Sequence, residues 1–208
     1  MRGKTNSRYT VYSVCIIVVC AATTACSRES LEVTPEEEEW VSTVGHEAAN
    51  SLTQGLVARL LEAIEEDGPS GAVDVCSNEA LQLTAEIQQQ IAPGVELKRT
   101  SFKYRNPANA PDSLEAAALR YFEDGLTNRR ELPPYHVQQV ASDTFRYYQP
   151  LIVNQLCLQC HGTAETISPE VQAQLAARYP DDLAVGYSLG NLRGVIRVSL
   201  PASVLEKQ

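Results

Sequence analysis

The chain has 208 residues, with 17 Lys and Arg against 26 Asp and Glu and a formal net charge of −9 at pH 7. This length suits one domain with a core of ordinary size. The acidic balance argues against nucleic acid and anionic lipid surfaces as partners, because both repel a negatively charged protein.

The N-terminus has the pattern of a secretory signal peptide. Three basic residues precede an apolar run over 11–22, and small or polar residues follow up to Cys26. The run is shorter than the roughly 18 apolar residues of a spanning helix, so a retained transmembrane anchor is the minor alternative. The residues before Cys26 resemble the lipobox of bacterial lipoproteins. We therefore expect cleavage after residue 25, a lipid at Cys26, and a location on the periplasmic side of a bacterial membrane.

These features divide the chain into a leader (1–25), a tether (26–38) and a single domain (39–208). At the end of the tether, Thr34-Pro35-Glu36-Glu37 is a capping box with a helical proline and predicts the start of a long helix. Asp67-Gly68-Pro69 predicts its end. Apolar residues recur at every fourth position between these signals: Trp40, Val44, Ala48, Leu52, Leu56, Leu60 and Ile64.

A second helix is predicted over about 72–91, and a strand over 95–102 and an ordered loop over 103–111 follow it. The apolar face of this helix comprises Ala72, Cys76, Ala80, Leu83, Ile87 and Ile91, which directs Cys76 to the interior. Asp112 and Glu115 then form the capping box of a third helix. The predicted buried stripe of the third helix comprises Leu114, Ala117, Ala118, Tyr121 and Phe122.

Two strands are predicted near 135–141 and 144–153, directly before the string Cys157-Leu158-Gln159-Cys160-His161. Ser168-Pro169 begins a short helix, and 194–200 forms the last strand. The side chains predicted to be buried on these two elements are Val171, Leu175 and Tyr179, and Ile196, Val198 and Leu200.

The Cys-x-x-Cys-His string is the strongest functional signal. Two thiols three residues apart can add to the vinyl groups of haem while the adjacent imidazole binds the iron. We predict one covalently attached haem c, held by Cys157 and Cys160, with His161 as an iron ligand. The alternatives are a disulfide or redox CxxC pair, and a zinc site with Cys76 in which adjacent Cys160 and His161 would be strained as ligands.

The second axial position has few candidates. Met1 is the only methionine and leaves with the leader, so a His/Met cytochrome is excluded for the mature monomer. His46, His136, Cys76 or a vacancy remain. Cys76 is favoured because it has no disulfide partner once the other two thiols hold haem. A thiolate ligand stabilises ferric iron and would lower the reduction potential below that of a His/Met site.

Residues 98–107 concentrate four cations in an otherwise acidic chain. Haem brings two propionates that need partners, and Arg99 and Arg105 are the candidates. The alternative is a solvated strand edge protected by charge.

Several segments, in order, resemble a family of bacterial c-type haem domains with a PAS-like fold, a domain of unknown function represented by a cyanobacterial haemoprotein. The resemblance spans most of residues 40–202, and the string over 105–112 is its most specific part. Gly190-Asn191 departs from the more usual Gly-Asp. The other matching segments are Val75-Cys76-Ser77, Lys98-Arg99-Thr100-Ser101, 157–162, Tyr179-Pro180-Asp182, Gly186-Tyr187 and Leu192-Arg193-Gly194.

The resemblance implies an α+β fold, with an antiparallel sheet, a long N-terminal helix and helices packed around the haem. It also implies Cys76 as the axial ligand opposite His161. Related domains occur as extracytoplasmic input modules of sensor kinases. We expect a lipid-anchored haem protein, not an enzyme, that transfers single electrons or reports redox state to an unidentified partner protein. Alternatives are a sensor of NO or CO acting through a partner, a peroxidase, and the zinc site.

Overall fold

The computed structural model describes residues 32–128 and 132–207, with side chains up to residue 204. The predicted leader and Cys26 lie outside these residues. The helices are α1 (Pro35–Asp74), α2 (Ala80–Ile91), α3 (Ser113–Thr127), α4 (Leu158–His161) and α5 (Pro169–Arg178), with a π turn at Val75–Glu79 and 3-10 turns at Pro107–Asn109 and Ala202–Lys207. The strands are β1 (Glu96–Thr100), β2 (His136–Ala141), β3 (Thr144–Ile152) and β4 (Leu192–Pro201).

The four strands form one antiparallel sheet in the order β1-β4-β3-β2. The fold is therefore α+β, with a long N-terminal helix and a four-stranded antiparallel sheet, as predicted. None of the described helices is long and apolar enough to cross a membrane.

The long helix begins and breaks where the sequence predicts. Thr34 caps it, and Glu37 completes the capping box. Residues 35–38 of the expected tether are therefore helical. Gly68 has φ +71°, so the helical path is broken before Pro69 and resumes in a second segment that leads into the π turn.

The two faces of the sheet are covered by different helices. Because side chains alternate along a strand, Tyr147 and Tyr148 point to opposite faces, and both are fully buried. The Tyr147 face packs against α1, and the Tyr148 face packs against α3. The buried apolar residues on the α1 side are Val41, Ala48, Ala49, Leu52, Val95, Leu97, Phe145, Tyr147, Ile196, Val198 and Leu200.

The predicted buried stripe of α3 is partly wrong. Ala118 and Phe122 are buried, but Leu114 and Tyr121 are 36% and 45% exposed. Glu115 is fully buried instead, because its carboxylate accepts hydrogen bonds from Lys98 Nζ at 2.7 Å and Arg197 Nε at 3.2 Å. Glu115, and not Leu114, therefore faces the sheet from the first turn of α3.

Gly45 allows the closest approach between α1 and the sheet. A Cβ at this position would lie 2.6 Å from Cβ of Tyr147, which cannot move because it is fully buried. Gly45→Ala is therefore expected to lower the free energy of unfolding by about 2 kcal/mol through overpacking. Urea denaturation measures this change.

Gly125→Ala is the matched control, because its added Cβ would lie 3.7 Å from the nearest side chain, an ordinary van der Waals contact inside a helix. That variant should gain about 0.5 kcal/mol from helix propensity. Equal effects of the two substitutions would contradict the assigned packing of Gly45 on Tyr147.

Candidate functional site

The Cys157–His161 motif forms one helical turn just after β3. The Asn154 side-chain oxygen accepts a hydrogen bond from the Cys157 backbone N–H at 3.2 Å and fixes the start of the turn. The His161 N–H then donates to the Cys157 carbonyl at 2.9 Å. Cys157 and Cys160 are half-buried free thiols. The turn therefore presents two thiols and one imidazole from a single short segment.

The His161 ring has a defined tautomer. Its Nδ1 lies 2.7 Å from the Ala184 carbonyl oxygen, and since a carbonyl only accepts, Nδ1 carries the proton. Burial, followed by the nearby Arg193 and Arg105, lowers the pKa of His161 well below its ordinary value. The imidazole is therefore neutral, with the Nε2 lone pair free to bind a metal. Metal-binding histidines commonly have this arrangement.

Arg105 holds the surroundings of His161 in place. Its Nε donates to Asp182 Oδ2 at 2.9 Å, and one Nη donates to the Cys160 carbonyl at 2.6 Å. The other Asp182 oxygen accepts from the Ala184 N–H at 2.7 Å. Arg105 thus connects the motif turn to the peptide whose carbonyl orients His161.

The segment 182–187, which follows α5, continues these contacts beside the turn. Gly186 N–H donates to the Gly162 carbonyl at 2.7 Å, and Tyr187 N–H donates to the His161 carbonyl at 2.9 Å. The Tyr187 ring meets the His161 ring edge-on, with centroids 6.3 Å apart. The backbone and the ring of His161 are therefore both fixed by residues that follow α5.

Cys76 lies on the π turn between α1 and α2, and its thiol is exposed, not core-facing as predicted. The wide turn changes the direction of this side chain relative to a regular helix. Burial nevertheless raises the pKa of Cys76, and Arg99, Arg105 and Arg193 act to lower it. Cys76 is also close enough to act on the pKa of Cys160.

Three arginines meet beside His161. Arg99, Arg105 and Arg193 line a cavity of about 150 Å³ together with His161. Among its lining residues none is acidic, and the remaining members are Thr100, Ser101, Tyr104, Asn109, Leu151 and Gly194. Burial lowers the pKa of both Arg99 and Arg193. The cavity therefore concentrates positive charge at partly desolvated positions.

Two of these guanidinium groups are not neutralised within residues 32–128 and 132–207. Arg99 forms no ion pair there, and the charges acting on it are those of Cys76 and Tyr179. Arg193 donates from Nη1 to the Lys103 carbonyl at 3.1 Å, but its Nε is buried without a hydrogen bond. Since buried charge is costly unless paired, the cavity suits an anionic ligand.

The other histidines lie elsewhere. His46 contacts Asn50 at 2.8 Å and the Tyr147 hydroxyl at 3.4 Å, on the α1 face of the sheet. His136 stacks on Tyr121, with centroids 4.5 Å apart, on the opposite face. Neither lines the cavity beside His161. In the described part of the chain, no three His, Cys, Asp or Glu side chains are close enough to hold a metal ion.

The sequence assigned no role to Arg193, Asp182 or Ala184, although two of them lie in the segments that carry the resemblance. In the sequence, the signal that could have indicated a role for Arg193 is its position directly before Gly194. Gly194 has φ +157°, and a Cβ at this position would lie 3.0 Å from the Cβ of Ser101. Only glycine therefore lets β4 come this close to the end of β1. No comparable signal marks Ala184, which acts through its carbonyl.

Comparison with known proteins places this site in a family. The family model described as Tll0287-like matches residues 17–201. The chain belongs to the Tll0287-like family. The crystal structure of the cyanobacterial heme-protein Tll0287 superposes on it with a TM-score of 0.54 and 26% identity, covering 81% of this chain and 96% of that one. No curated protein matches the chain.

Asp182→Asn tests the support of His161. The substitution leaves the 8%-exposed Arg105 side chain without its counter-charge, so we expect a loss of about 3 kcal/mol in the free energy of unfolding. Urea denaturation of the haem-free protein measures it. The neighbouring Asp181→Asn, at an exposed position, is the control and should change stability by less than about 0.5 kcal/mol. Equal losses would contradict the role of Asp182.

Proposed function

We propose that this chain binds one haem c covalently through Cys157 and Cys160, with His161 and Cys76 as axial ligands, and that it transfers single electrons. The observation that carries the proposal is the motif turn, where a neutral imidazole with a free Nε2 stands beside two free thiols. The similarity in fold to Tll0287, a cyanobacterial heme-protein, supports the same cofactor.

The residues around the turn fit such a cofactor. The two propionates of haem are anionic, and the cavity beside His161 contains two partly buried guanidinium groups, those of Arg99 and Arg193, without carboxylate partners in the described residues. We assign the propionates to Arg99 and Arg193. Arg105 was a sequence candidate for this role, but its hydrogen bonds go to Asp182 and the Cys160 carbonyl, so we assign it to positioning His161.

Cys76 is the proposed second axial ligand. It lies on the π turn between α1 and α2, is accessible, and is close enough to act on the pKa of Cys160. Burial raises the pKa of its thiol, and the charges of Arg99, Arg105 and Arg193 act in the opposite direction. When bound, haem supplies a one-electron iron couple, and a thiolate ligand sets that couple at low potential. The chain contributes the ligands, their orientation and the surrounding positive charge.

A redox role suits this site better than peroxidase chemistry. A peroxidase needs an acid or base beside an open iron position, and neither His46 nor His136 lines the cavity. We therefore propose no organic substrate. Sensing of NO or CO through a partner is the second candidate. The position of Cys76 on a π turn favours it, because release of the thiol would let two helices repack.

Export and a lipid anchor at Cys26 complete the proposal and place the protein on the periplasmic side of a membrane. Their support is the basic, apolar and small-residue order of residues 1–26. These residues precede the described part of the chain.

The cofactor proposal is tested by producing the full chain together with a c-type maturation system. A pyridine haemochrome spectrum of the c type is expected, with one haem per chain retained after denaturation. Cys157→Ala and Cys160→Ala should each leave the haem attached through one thioether at most. Gln159→Ala, at the exposed position between the two cysteines, is the control and should keep both bonds. Haem that washes out of the denatured wild type would contradict covalent attachment.

The axial role of Cys76 is tested by Cys76→Ala in the same holoprotein. Loss of the thiolate should abolish its ferric spectroscopic signature and raise the midpoint potential, because a strong anionic donor to ferric iron is removed. Ser77→Ala, the next residue on the π turn, is the matched control and should alter neither property. Unchanged spectra in Cys76→Ala would remove Cys76 from the ligand set.

The charge of the cavity predicts opposite effects of one substitution in two forms of the protein. Arg99→Gln removes an unpaired cation, so the haem-free form should gain about 1 kcal/mol of stability. In the haem-bound form the same change removes a propionate partner and should destabilise by a similar amount, about 1 kcal/mol. Thermal unfolding of both forms measures the sign. Arg120→Gln, at an exposed position, should show no reversal.

A further inference from the structure

The segment 182–187 has an inner and an outer face. Asp182 and Ala184 point inward, where they hold Arg105 and His161. Leu183 and Val185 point outward and are 47% and 38% exposed, whereas Ala184 between them is fully buried. The same peptides that orient His161 therefore present aliphatic side chains to solvent.

Leu189 follows in the same loop, and we name these three exposed residues the apolar patch (Leu183, Val185 and Leu189). Leu189 is 58% exposed, the highest value among the large hydrophobic residues exposed in the described part of the chain. Single exposed leucines are common on protein surfaces. Three exposed aliphatic side chains within seven residues of one loop are less so, and exposed apolar surface of this kind typically marks an interaction site.

An acidic groove borders the apolar patch. It has a volume of about 720 Å³, with Tyr187 and Leu189 on one wall and Glu123 and Asp124 of α3 on the other. Lys103 is the cation of this groove, and its ammonium is held against the Val185 carbonyl and 4.2 Å from the centre of the Tyr187 ring. Both carboxylates are exposed, and the cation acting on Glu123 is Arg120 of the same helix.

We propose that the apolar patch and the acidic groove together dock a redox protein that presents an apolar centre surrounded by lysines. Charge complementarity selects this partner, because the groove offers two carboxylates and the whole chain carries a net charge of −9. The inference rests on the proposed electron-transfer function. Docking here gives a short route, from the partner through the Val185 peptide and the Ala184 carbonyl to Nδ1 of His161.

The exchange itself is simple. One electron leaves the reduced protein and enters the oxidised partner, with no bond formed or broken and no proton moved. The probe is a basic c-type cytochrome in its ferric state, and stopped-flow absorbance measures the second-order rate at which it oxidises the reduced holoprotein. Glu123→Lys combined with Asp124→Lys should slow this reaction about tenfold at low ionic strength, and the difference should shrink as salt is added.

Leu189→Ser tests the apolar contribution. Its rate should fall about threefold at low and high salt alike, because burial of aliphatic surface is not screened by ions. The controls match these changes elsewhere on the molecule. Glu47→Lys combined with Glu65→Lys alters the same charge on α1, and Leu81→Ser removes a leucine that is 49% exposed on α2. Both controls should stay within about twofold of wild type.

Three results would overturn the docking surface. The first is that the groove and patch variants react as fast as their controls. The second is that an acidic flavodoxin exchanges electrons as fast as the basic cytochrome at low salt. The third is that added salt accelerates the reaction. Failure of the electron-transfer function is seen separately. In that case dithionite would not reduce the wild-type holoprotein, or ferricyanide would not reoxidise it, and no partner protein takes part in either reaction.

Discussion

The candidate site depends on the contact between Arg105 and Asp182. This pair joins three stretches that are distant in sequence: the loop after β1, the motif turn, and the segment after α5. Because both side chains are nearly buried, with 8% and 11% exposure, solvent screens the attraction only weakly. The contact also sets the tautomer of His161, since Asp182 fixes the Ala184 peptide whose carbonyl accepts the Nδ1 proton. The ion pair and the orientation of the His161 ring thus depend on the same residues.

The sheet determines where the remaining positive charge lies. Arg99 pairs in register with Ile196, whose side chain lies in the core beneath α1. Arg99 therefore points to the face that α1 covers, and α1 leads into the π turn that carries Cys76. Arg193 comes one residue before Gly194 and lies over the Tyr187 ring, on the side of His161. The two unpaired guanidinium groups thus approach one cavity from the Cys76 side and the His161 side. A ligand with two carboxylates can neutralise both.

Much of this fold is encoded by local signals. Patterns of a few neighbouring residues predict the capping boxes at Thr34 and Asp112, the break at Gly68 and the four strands. The motif turn is similarly local. The exposed position of Cys76 is not, because a π turn has no distinct sequence signature and reorients the side chain by geometry alone. The burial of Glu115 depends on Lys98 and Arg197, partners that only the sheet register brings within reach.

The segment 182–187 shows why a site of this kind is not read from the motif alone. Its backbone supplies the acceptor for His161 and two hydrogen bonds to the motif turn, roles in which side-chain identity leaves no trace. The side chains of Leu183 and Val185 are exposed to solvent, and the inner contacts fix the backbone that carries them. A rigid surface loses little conformational entropy when a partner binds. The contacts that orient His161 therefore also preorganise the outer face of the same segment.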